Sequence, residues 1–379
     1  TVVTDPSDYD NIINQLKENN CTTDIDFRRE CAKKAFTMTA EYDAAISEYF
    51  IVGKDSDSET SECPDGFTLK LDKKTTLRYG ENPHQDASLY AISGFSGPTL
   101  INAEQHAGKE LSFNNYNDLD ACLEMLLDFN EPFACVLKHA NPCGAAVADS
   151  IADAYKKAYE SDPLSAFGSI IGLNKEVDIA AAELLHETPF VECILAPSYS
   201  ADALKLLQKK KTRRLLTLPA ISGGRPSGEL VYKNIRGGFL VQSADDKVTL
   251  PDDWQVVTKR KPSDDEIREM LFGWKIVKHT KSNAIVLSKN LATVGIGMGQ
   301  TSRVDAGFLA VKRAGERAKS AVMSSDAFYP MPDGVEVGTD AGVTAIIQPG
   351  GSKGDDKAIE AADKANATMV FTAVRHFKH

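Results

Sequence analysis

The sequence predicts an α/β fold made of two similar units. Short apolar segments of strand length alternate with segments of helical periodicity, which is typical of α/β proteins. Several landmarks also recur in the same order in the two halves, which suggests two copies of one unit with polar loops that could face each other. These landmarks are Lys138-His139 and Lys278-His279, Ser165-Ala166-Phe167 and Asp326-Ala327-Phe328, and the stretches Val191 to Pro197 and Val343 to Pro349.

A helical region and a linker come first. From Phe27 to Phe50 the apolar residues have helical spacing. The stretch Gly53 to Phe67 is mostly polar and predicts a surface linker. From Leu77 onward apolar and polar residues alternate, so we expect residues 1–62 to be separate from the α/β units.

The first α/β unit is expected at residues 63–218. A helix is predicted at Asn117 to Phe129, begun by an Asn or Asp cap. A loop opened by Asn141-Pro142 should follow the first buried strand. The other predicted elements are strands at Phe133 to Leu137, Ser169 to Leu173 and Val191 to Leu195, and helices at Ile151 to Tyr159 and Ala201 to Lys211.

A connecting segment, residues 219–262, leads to the second unit at residues 263–379. It contains the glycine- and proline-rich stretch Pro219 to Gly238, with short strands around it. The second unit begins with a helix at Asp264 to Val277. Its other predicted elements are strands at Ala284 to Leu287, Val294 to Ile296, Thr344 to Ile347 and Met369 to Thr372, and helices at Val304 to Lys319 and Asp356 to Ala365.

Composition excludes several classes of function. The chain has 379 residues, enough for two or three domains, and a formal net charge of −11. That charge argues against non-specific binding to nucleic acid or to an anionic membrane. No apolar run approaches the ~20 residues of a membrane span. The seven cysteines are scattered and odd in number, which indicates reduced thiols and a cytoplasmic protein.

The dyad Lys138-His139 is the first candidate for chemistry. It follows a buried strand, and strand ends in open α/β sheets are where such folds bind ligands. A histidine can exchange a proton near neutral pH, and a neighbouring lysine adds positive charge. The alternative is purely structural, with the histidine capping its strand and the lysine reaching solvent.

Three other stretches could bind an anion. Arg78 lies in a turn-rich run, Leu77 to Gln85, and suits a phosphate or carboxylate. The glycine-rich turn Gly295 to Arg303 precedes a helix, a geometry that binds anions through backbone N–H groups. The stretch Pro349 to Lys357 precedes another predicted helix and has the same geometry. Apart from these three stretches, Arg375 follows a buried strand, and the tail that carries it is either solvated or tucked in. Each of these stretches could equally be an ordinary turn or chain end.

No metal site is predicted. Pro142-Cys143 matches half of a zinc deaminase motif, which needs Pro-Cys-x-x-Cys and an upstream His-x-Glu. Position 146 is alanine and no His-x-Glu occurs in the chain.

Together these stretches closely resemble the transformylase portion of the bifunctional purine-biosynthesis enzyme. That family formylates aminoimidazole carboxamide ribonucleotide (AICAR) and cyclises the product to inosine monophosphate. The resemblance runs from about residue 65 to the C-terminus, and residues 1–50 resemble the closing, helical segment of the family's cyclohydrolase domain. It rests on Leu77 to Gln85, Lys138 to Pro142, Ser165 to Gly168, Val191 to Pro197, Thr280 to Ala284, Gly295 to Arg303, Ser324 to Phe328 and Arg375 to His379.

The resemblance implies two cytidine-deaminase-like α/β/α units without zinc. It implies formyl transfer from 10-formyltetrahydrofolate to the 5-amino group of AICAR, in active sites shared across a homodimer. His139 takes the role of proton acceptor and Lys138 assists it. AICAR-binding positions fall on Arg78, Tyr79, His139, Gly168, Glu192, Asn283, Arg303 and Arg375, and folate-binding positions fall on Val304, Phe328, Asp333, Ser352 and Lys353. The cyclohydrolase's own catalytic residues would precede residue 1, so we expect formyl-AICAR rather than inosine monophosphate as product.

Two other classes of protein compete with this reading. One is a zinc nucleoside deaminase, against which the incomplete zinc motif counts. The other is a zinc-free protein of the same fold that binds a nucleotide without transferase activity. A metal assay would decide the first alternative, and transfer of label from formylfolate would decide the second.

Overall fold

The predicted alternation of helices and strands is present in the computed structural model, which describes residues 1–52 and 66–379. Within those residues the chain forms ten α-helices and sixteen β-strands, so the predicted α/β class is confirmed. The helices are α1 Tyr9–Glu18, α2 Ile25–Val52, α3 Phe113–Leu126, α4 Ile151–Ser161, α5 Ile179–Glu187, α6 Ala201–Leu207, α7 Asp264–Lys278, α8 Arg303–Ala314, α9 Asp333–Asp340 and α10 Asp355–Lys364. The strands are β1 Leu71–Leu77, β2 Ala87–Ile92, β3 Glu104–Ala107, β4 Phe133–Lys138, β5 Asn141–Val147, β6 Ser169–Leu173, β7 Val191–Ala196, β8 Arg214–Thr217, β9 Leu230–Ile235, β10 Gly238–Ser243, β11 Gln255–Val256, β12 Ile285–Lys289, β13 Ala292–Gly297, β14 Val322–Ser325, β15 Ala345–Gln348 and β16 Thr368–Phe371.

The chain divides into two compact units, and the smaller one contains residues 1–70 and 230–243. It consists of α1, α2 and the antiparallel hairpin of β9 and β10. Helix α2 confirms the predicted N-terminal helix. The ammonium of Lys34 on α2 lies 2.6 Å from the Asp8 carboxylate, which ties α2 to the start of α1. The predicted linker Gly53 to Phe67 falls, except for its last two residues, outside the described residues.

The larger unit contains residues 71–229 and 244–379. Strands β1 and β2 form a small antiparallel sheet of their own, and twelve strands form the main sheet in the order β11-β16-β15-β14-β12-β13-β5-β4-β6-β7-β8-β3. Pairing is parallel within β14-β15-β16 and within β6-β7-β8, and antiparallel between the remaining neighbours. The sheet is therefore mixed, with β13 and β5 meeting at its centre.

The same order of elements occurs on each side of that central contact. Residues 113–217 run α-β-β-α-β-α-β-α-β, and so do residues 264–371. Each run contains a hairpin, β4-β5 or β12-β13, whose two turn residues both have positive φ. Each hairpin also has a register shift after the turn, and then a glycine, Gly144 or Gly295. A Cβ on either glycine would lie 2.0 or 2.1 Å from a carbonyl oxygen of the following helix, so both positions need glycine for this packing.

Helices cover both faces of the main sheet. Alternate strand residues such as Cys135 and Val286 join the core beneath α3 and α7, because successive strand side chains point to opposite faces. The neighbouring strand residues point to the opposite face of the sheet. There Val136 packs in the core beneath α4, α5 and α6. Ile285 and Leu287 pack in the core beneath α8 and α10. No helix of the described residues is both long and apolar enough to cross a membrane.

Several local predictions were wrong or incomplete. Helix α3 is capped by Ser112, in a reciprocal capping box with Asn115, and not by an Asn or Asp. Strand β5 occupies the predicted loop at Asn141-Pro142, and α5, β14 and α9 were not predicted. Proline and glycine usually argue against a strand interior. In β5 they are tolerated because the register shifts between the pairs Val136–Gly144 and Leu137–Pro142.

The repeated landmarks correspond only in part. The stretches from Val191 and from Val343 lead into equivalent strands, β7 and β15. Ser165-Ala166-Phe167 precedes β6, whereas Asp326-Ala327-Phe328 follows β14. Lys138 ends β4, but Lys278 ends α7, so the two Lys-His dyads do not occupy equivalent positions. In element order the counterpart of Lys138-His139 is Lys289-Asn290.

Candidate active site

The candidate catalytic histidine lies in a tight turn between two buried strands. His139 and Ala140 form the whole connection from β4 to β5, and both have φ of +55°. This left-handed conformation is uncommon for residues other than glycine. The Ala140 N–H donates to the Asp118 carboxylate of α3 at 2.8 Å, which stabilises the turn. The fold therefore fixes the His139 backbone while its side chain stays exposed.

Lys138 lies beside this turn, as the sequence predicted. Its ammonium donates to the carbonyl oxygen of Phe167 at 2.9 Å. The next residue, Gly168, has φ of +76°, a conformation that glycine adopts without strain. Its N–H donates to the Phe190 carbonyl oxygen at 2.9 Å. Lys138 and the Gly168 segment are thus in direct contact.

The registers of the main sheet bring most candidate residues to one edge. Leu137 pairs with Ile170, and Ser169 pairs with Val191, so Gly168 and Glu192 lie at the edge where β4 ends. In the second half Ile285 pairs with Ser325, which sets Asn283 beside the end of β14. We call this edge the His139 edge; it consists of the turn His139-Ala140, Gly168, Glu192, Asn283, and the segments 298–303, 326–333, 349–354 and 372–379.

Asn141 joins the two halves at the His139 edge. Its amide nitrogen donates to the His139 carbonyl oxygen at 3.1 Å, and its amide oxygen accepts from the Lys281 N–H at 3.2 Å. The Lys281 carbonyl oxygen in turn accepts from the Gly299 N–H at 2.7 Å. One side chain therefore connects the histidine turn to the loop before Asn283 and to the glycine-rich loop.

Asn283 and Arg303 form a hydrogen-bonded pair. The guanidinium of Arg303, at the first position of α8, donates to the Asn283 amide oxygen at 2.6 Å and to the Ser325 hydroxyl at 2.9 Å. It also makes an ion pair with Asp326, which is completely buried. Since Arg303 is itself only 8% exposed, these bonds hold the Asn283 amide in one orientation.

The C-terminal tail is tucked in at the same edge. The His376 N–H donates to the Asp326 carbonyl oxygen at 3.0 Å, and the Ser282 N–H donates to the Lys378 carbonyl oxygen at 2.9 Å. The Ser282 hydroxyl accepts from the Lys378 N–H at 3.2 Å. Arg375 remains exposed, with its guanidinium 4.7 Å from the centroid of the Phe377 ring. Of the two alternatives for the tail, the ordered one is therefore correct.

The candidate folate residues follow α8 and the parallel strands of the second half. Val304 is half-buried in the first turn of α8, and Asp333 begins α9. Phe328, 36% exposed, lies in the loop after β14, and Ser352 and Lys353 lie in the loop after β15. These two loops touch, because a Cβ on Gly354 would lie 2.4 Å from the Pro330 carbonyl oxygen. Carboxyl ends of parallel strands are the usual ligand sites of such sheets.

Other contacts hold three further AICAR candidates, Arg78, Tyr79 and Glu192. Arg78 and Tyr79 follow β1 in the small sheet, where the exposed Arg78 guanidinium donates to the Tyr79 hydroxyl at 2.9 Å. Among the described residues, no hydrogen bond joins this pair to the histidine turn. Glu192 makes an ion pair with Arg214 on the neighbouring strand at 2.6 Å.

The second dyad, Lys278-His279, is not a proton-transfer pair at a strand end. His279 caps α7, is 4% exposed and bonds the Asp128 carboxylate through Nε2 at 2.7 Å. Burial lowers the pKa of His279 to about 4, although the bond to Asp128 opposes that shift. Burial also acts to raise the pKa of Asp128, but His279, Lys278 and Arg225 outweigh it and hold that pKa well below its usual value.

Comparison with known proteins identifies the family. A sequence model of the AICARFT/IMPCHase bienzyme matches residues 1–313. The chain belongs to this family. It is 47% identical over 379 residues to the bifunctional purine biosynthesis protein PurH of Bacillus mycoides (strain KBAB4), and 45% identical over 379 residues to the PurH protein of Oceanobacillus iheyensis. Each comparison covers 100% of this chain and 72% of the relative.

Membership of the AICARFT/IMPCHase family confirms the resemblance found in the motifs. The sequence did not, however, single out four residues that shape the site: Asp118, Asn141, Ser282 and Asp326. Their side chains bind backbone groups or Arg303. Asn141, Ser282 and Asp326 stood within the recognised motifs, whereas Asp118 had no signal. Within residues 1–52 and 66–379, no group of three or more His, Cys, Asp or Glu side chains is arranged to hold a metal ion.

Proposed function

We propose that this chain acts in purine biosynthesis and transfers a formyl group from 10-formyltetrahydrofolate to the 5-amino group of AICAR. The products are formyl-AICAR and tetrahydrofolate. The observation that carries the proposal is the convergence of Lys138, His139, Asn283 and Arg303 at one edge of the sheet, in a chain of the AICARFT/IMPCHase family. Two separate halves of the chain supply these residues.

The chemistry requires a base for a weak nucleophile. The amino group of AICAR is conjugated with a ring that bears a carboxamide, so its proton must leave as the new C–N bond forms. His139 would accept that proton at its exposed imidazole, and the ammonium of Lys138 would stabilise the oxyanion of the tetrahedral intermediate. When the bond from the formyl carbon to folate N10 breaks, N10 takes a proton and tetrahydrofolate leaves.

The remaining candidates would bind the two substrates. In this proposal Arg78 and Arg375, both exposed, take the AICAR phosphate, because guanidinium groups form strong charge-assisted bonds to phosphate. Arg303 would act partly through Asn283, whose amide it orients. Tyr79, Gly168 and Glu192 complete the AICAR set, and the folate would contact Val304, Phe328, Asp333, Ser352 and Lys353.

The test is a variant that keeps the backbone of the histidine turn. In the second hairpin Asn290 has φ of +57° at the position equivalent to His139, so asparagine fits this conformation. His139→Asn should lower kcat for formyl transfer roughly 100- to 10,000-fold, the contribution of a general base, with AICAR affinity within about tenfold. The matched control, Asn290→Gly, should keep wild-type kcat.

A His139→Asn enzyme that keeps more than a tenth of wild-type kcat would exclude His139 as the base. The alternative function, nucleotide binding without transfer, predicts instead that the wild-type chain binds AICAR but moves no label from 10-[14C]formyltetrahydrofolate. The two results are separable because binding and transfer are measured independently.

We also infer that the larger unit arose by duplication of one cytidine-deaminase-like α/β/α unit. In its favour are the equal element orders, the two hairpins with positive-φ turns, and the paired glycines Gly144 and Gly295. The domain boundaries near residues 62, 218 and 262 belong to this inference. Limited proteolysis followed by mass determination would test them, and cleavage within residues 113–217 or 264–371 would contradict them.

A homodimer with shared active sites completes the proposal. Arg78 is exposed at the end of a small sheet separate from the main one, so its side chain can reach a partner. If the sites are shared, activity per subunit should fall on dilution through the dimer dissociation constant. At an AICAR concentration well below the KM of the Arg78→Ala enzyme, mixing His139→Asn and Arg78→Ala chains should then raise the activity above that of either variant alone, because one site of the mixed dimer has both residues. A fully active monomer in sedimentation experiments would contradict sharing.

A further inference from the structure

Lys278, which has no part in the proposed transfer, lines a cavity. This cavity has a volume of about 350 Å³ and lies between the end of α7, the segment after α3, and residues 225–227 and 246–249. His376 of the C-terminal tail also contributes to its wall. We call it the α7 cavity.

Positive charge predominates in its lining. The Asp128 carboxylate accepts from Arg225 at 2.8 Å and from Lys278 at 2.8 Å. Lys275 donates to the Asp128 carbonyl oxygen at 2.9 Å, and its ammonium lies 4.9 Å from the centroid of the Phe129 ring. Among the described residues, neither Lys275 nor Lys247 has an acidic side-chain partner. These two ammonium groups are therefore available to an anion.

The formal charges of the lining residues also add up to a positive value. Four cations, Arg225, Lys247, Lys275 and Lys278, stand against two carboxylates, Asp128 and Asp246, which gives +2. Outside the lining, Glu124 pairs with Arg225, and Asp245 pairs with His376 at 2.7 Å. Neither of these two carboxylates pairs with Lys247 or Lys275. The whole chain carries −11, so the lining itself, at +2, is positive against a negative background.

The other part of the wall is apolar and aromatic. The Trp274 side chain, which is 3% exposed, forms one side of it. Leu271 and Val248 supply further apolar surface. A planar ring could pack against this side of the cavity, where it would be removed from water.

We propose that the α7 cavity binds a small organic anion with a planar ring, such as an aromatic phosphate. The anionic group would pair with Lys275 and Lys247, and the ring would lie against the Trp274 side. Both properties of the wall, its positive charge and its apolar surface, are then used by one molecule.

Phenyl phosphate is a suitable probe, since it combines one ring with one phosphate. Calorimetric titration of the full chain should show saturable binding of one phenyl phosphate per chain in this cavity. Trp274 is one of two tryptophans, and Trp254 is not in the lining, so a Trp254→Phe chain should report binding by fluorescence. Phenol and inorganic phosphate, each lacking one half of the probe, should bind at least about tenfold more weakly.

Charge removal provides the matched comparison. The double variant Lys247→Gln, Lys275→Gln should bind phenyl phosphate at least about tenfold more weakly. The control Lys156→Gln, an exposed lysine on α4 outside the lining, should bind it within about twofold of wild type. Circular dichroism would establish that each variant is folded.

Three results would overturn the proposal. The first is no saturable binding, in which case the cavity holds only solvent. The second is equal binding by the double variant and the control. The third is loss of binding in Arg78→Ala but not in the double variant, which would assign the phosphate group to the candidate active site. The outcome does not depend on formyl transfer, because no step of that reaction is measured.

Discussion

Asn141→Ala tests whether the bridge across the His139 edge positions the proposed base. The substitution removes two hydrogen bonds, from the amide nitrogen to His139 O at 3.1 Å and from Lys281 N to the amide oxygen at 3.2 Å. A hydrogen bond between neutral groups contributes about 0.5–1.5 kcal/mol, so the pair contributes about 1–3 kcal/mol. If this whole free energy is lost from the transition state and none of it from the bound substrates, kcat for formyl transfer falls about 5- to 150-fold.

The second hairpin indicates that the fold will accept this change. Ala292 begins β13 at the position where Asn141 begins β5, so alanine is compatible with the start of such a strand. Because Asn141 positions another group, its loss should lower kcat more than it raises either KM. The Asn141→Asp variant separates the two bonds, since a carboxylate still accepts from Lys281 N–H but cannot donate to the His139 carbonyl oxygen.

The assay is steady-state formyl transfer with both substrates varied, together with urea unfolding to follow stability. An Asn141→Ala enzyme with kcat within twofold of wild type would refute the positioning role. So would equal rises in both KM values without a change in kcat. If Asn141→Asp has the kcat of wild type, the hydrogen bond from the Lys281 N–H accounts for the loss of kcat in Asn141→Ala, and the bond to the His139 carbonyl oxygen does not.

Three further predictions concern other parts of the molecule. Arg375→Ala should raise the AICAR KM roughly tenfold or more with little change for folate, because one charge-assisted phosphate bond contributes about 1.5–3 kcal/mol; an unchanged AICAR KM would remove Arg375 from the site. Lys138→Met should lower kcat at least about tenfold by removing the oxyanion partner, and a kcat within twofold of wild type would contradict that role. Since the pKa of His279 falls from 6.5 to about 4 on folding, the unfolded chain binds its proton more tightly, and stability should drop by about 2 kcal/mol between pH 7 and pH 5 from this residue. In urea unfolding at the two pH values, His279→Gln should lose about that much less than wild type, and equal losses would show that the pKa of His279 is not depressed.

The sequence predicted elements well where periodicity and local chemistry agree. Helix α7 has a Ser263–Glu266 capping box and an apolar stripe, and strands such as β6 are uniformly buried. Prediction failed at β5, where Pro142 and Gly144 interrupt the strand pattern. Gly144 is required by the close approach of α4, and a contact between distant segments leaves no local signal.

The candidate site was predicted through its motifs, not through its supporting contacts. Asn283 and Arg303 lie in recognised stretches, and the structure joins them directly. Asp118 supports the histidine turn from 22 residues away, and Ser282 holds the tail across 96 residues. Single side chains that bind remote backbone groups have no periodicity, so a single sequence cannot reveal them.

The antiparallel contact at the centre of the sheet explains why this site needs both halves. Ala292 at the start of β13 pairs with Ala146 near the end of β5, so the two similar hairpins turn at opposite edges. The His139 edge therefore receives the ends of the parallel strands β14, β15 and β16 from the second half and the starts of the parallel strands β6, β7 and β8 from the first. The opposite edge has the mirrored arrangement with Asn290 in place of His139, and an amide cannot accept a proton near neutral pH. In the proposed reaction, His139 therefore distinguishes the edge that has the base from the similar edge that has Asn290 at the equivalent position.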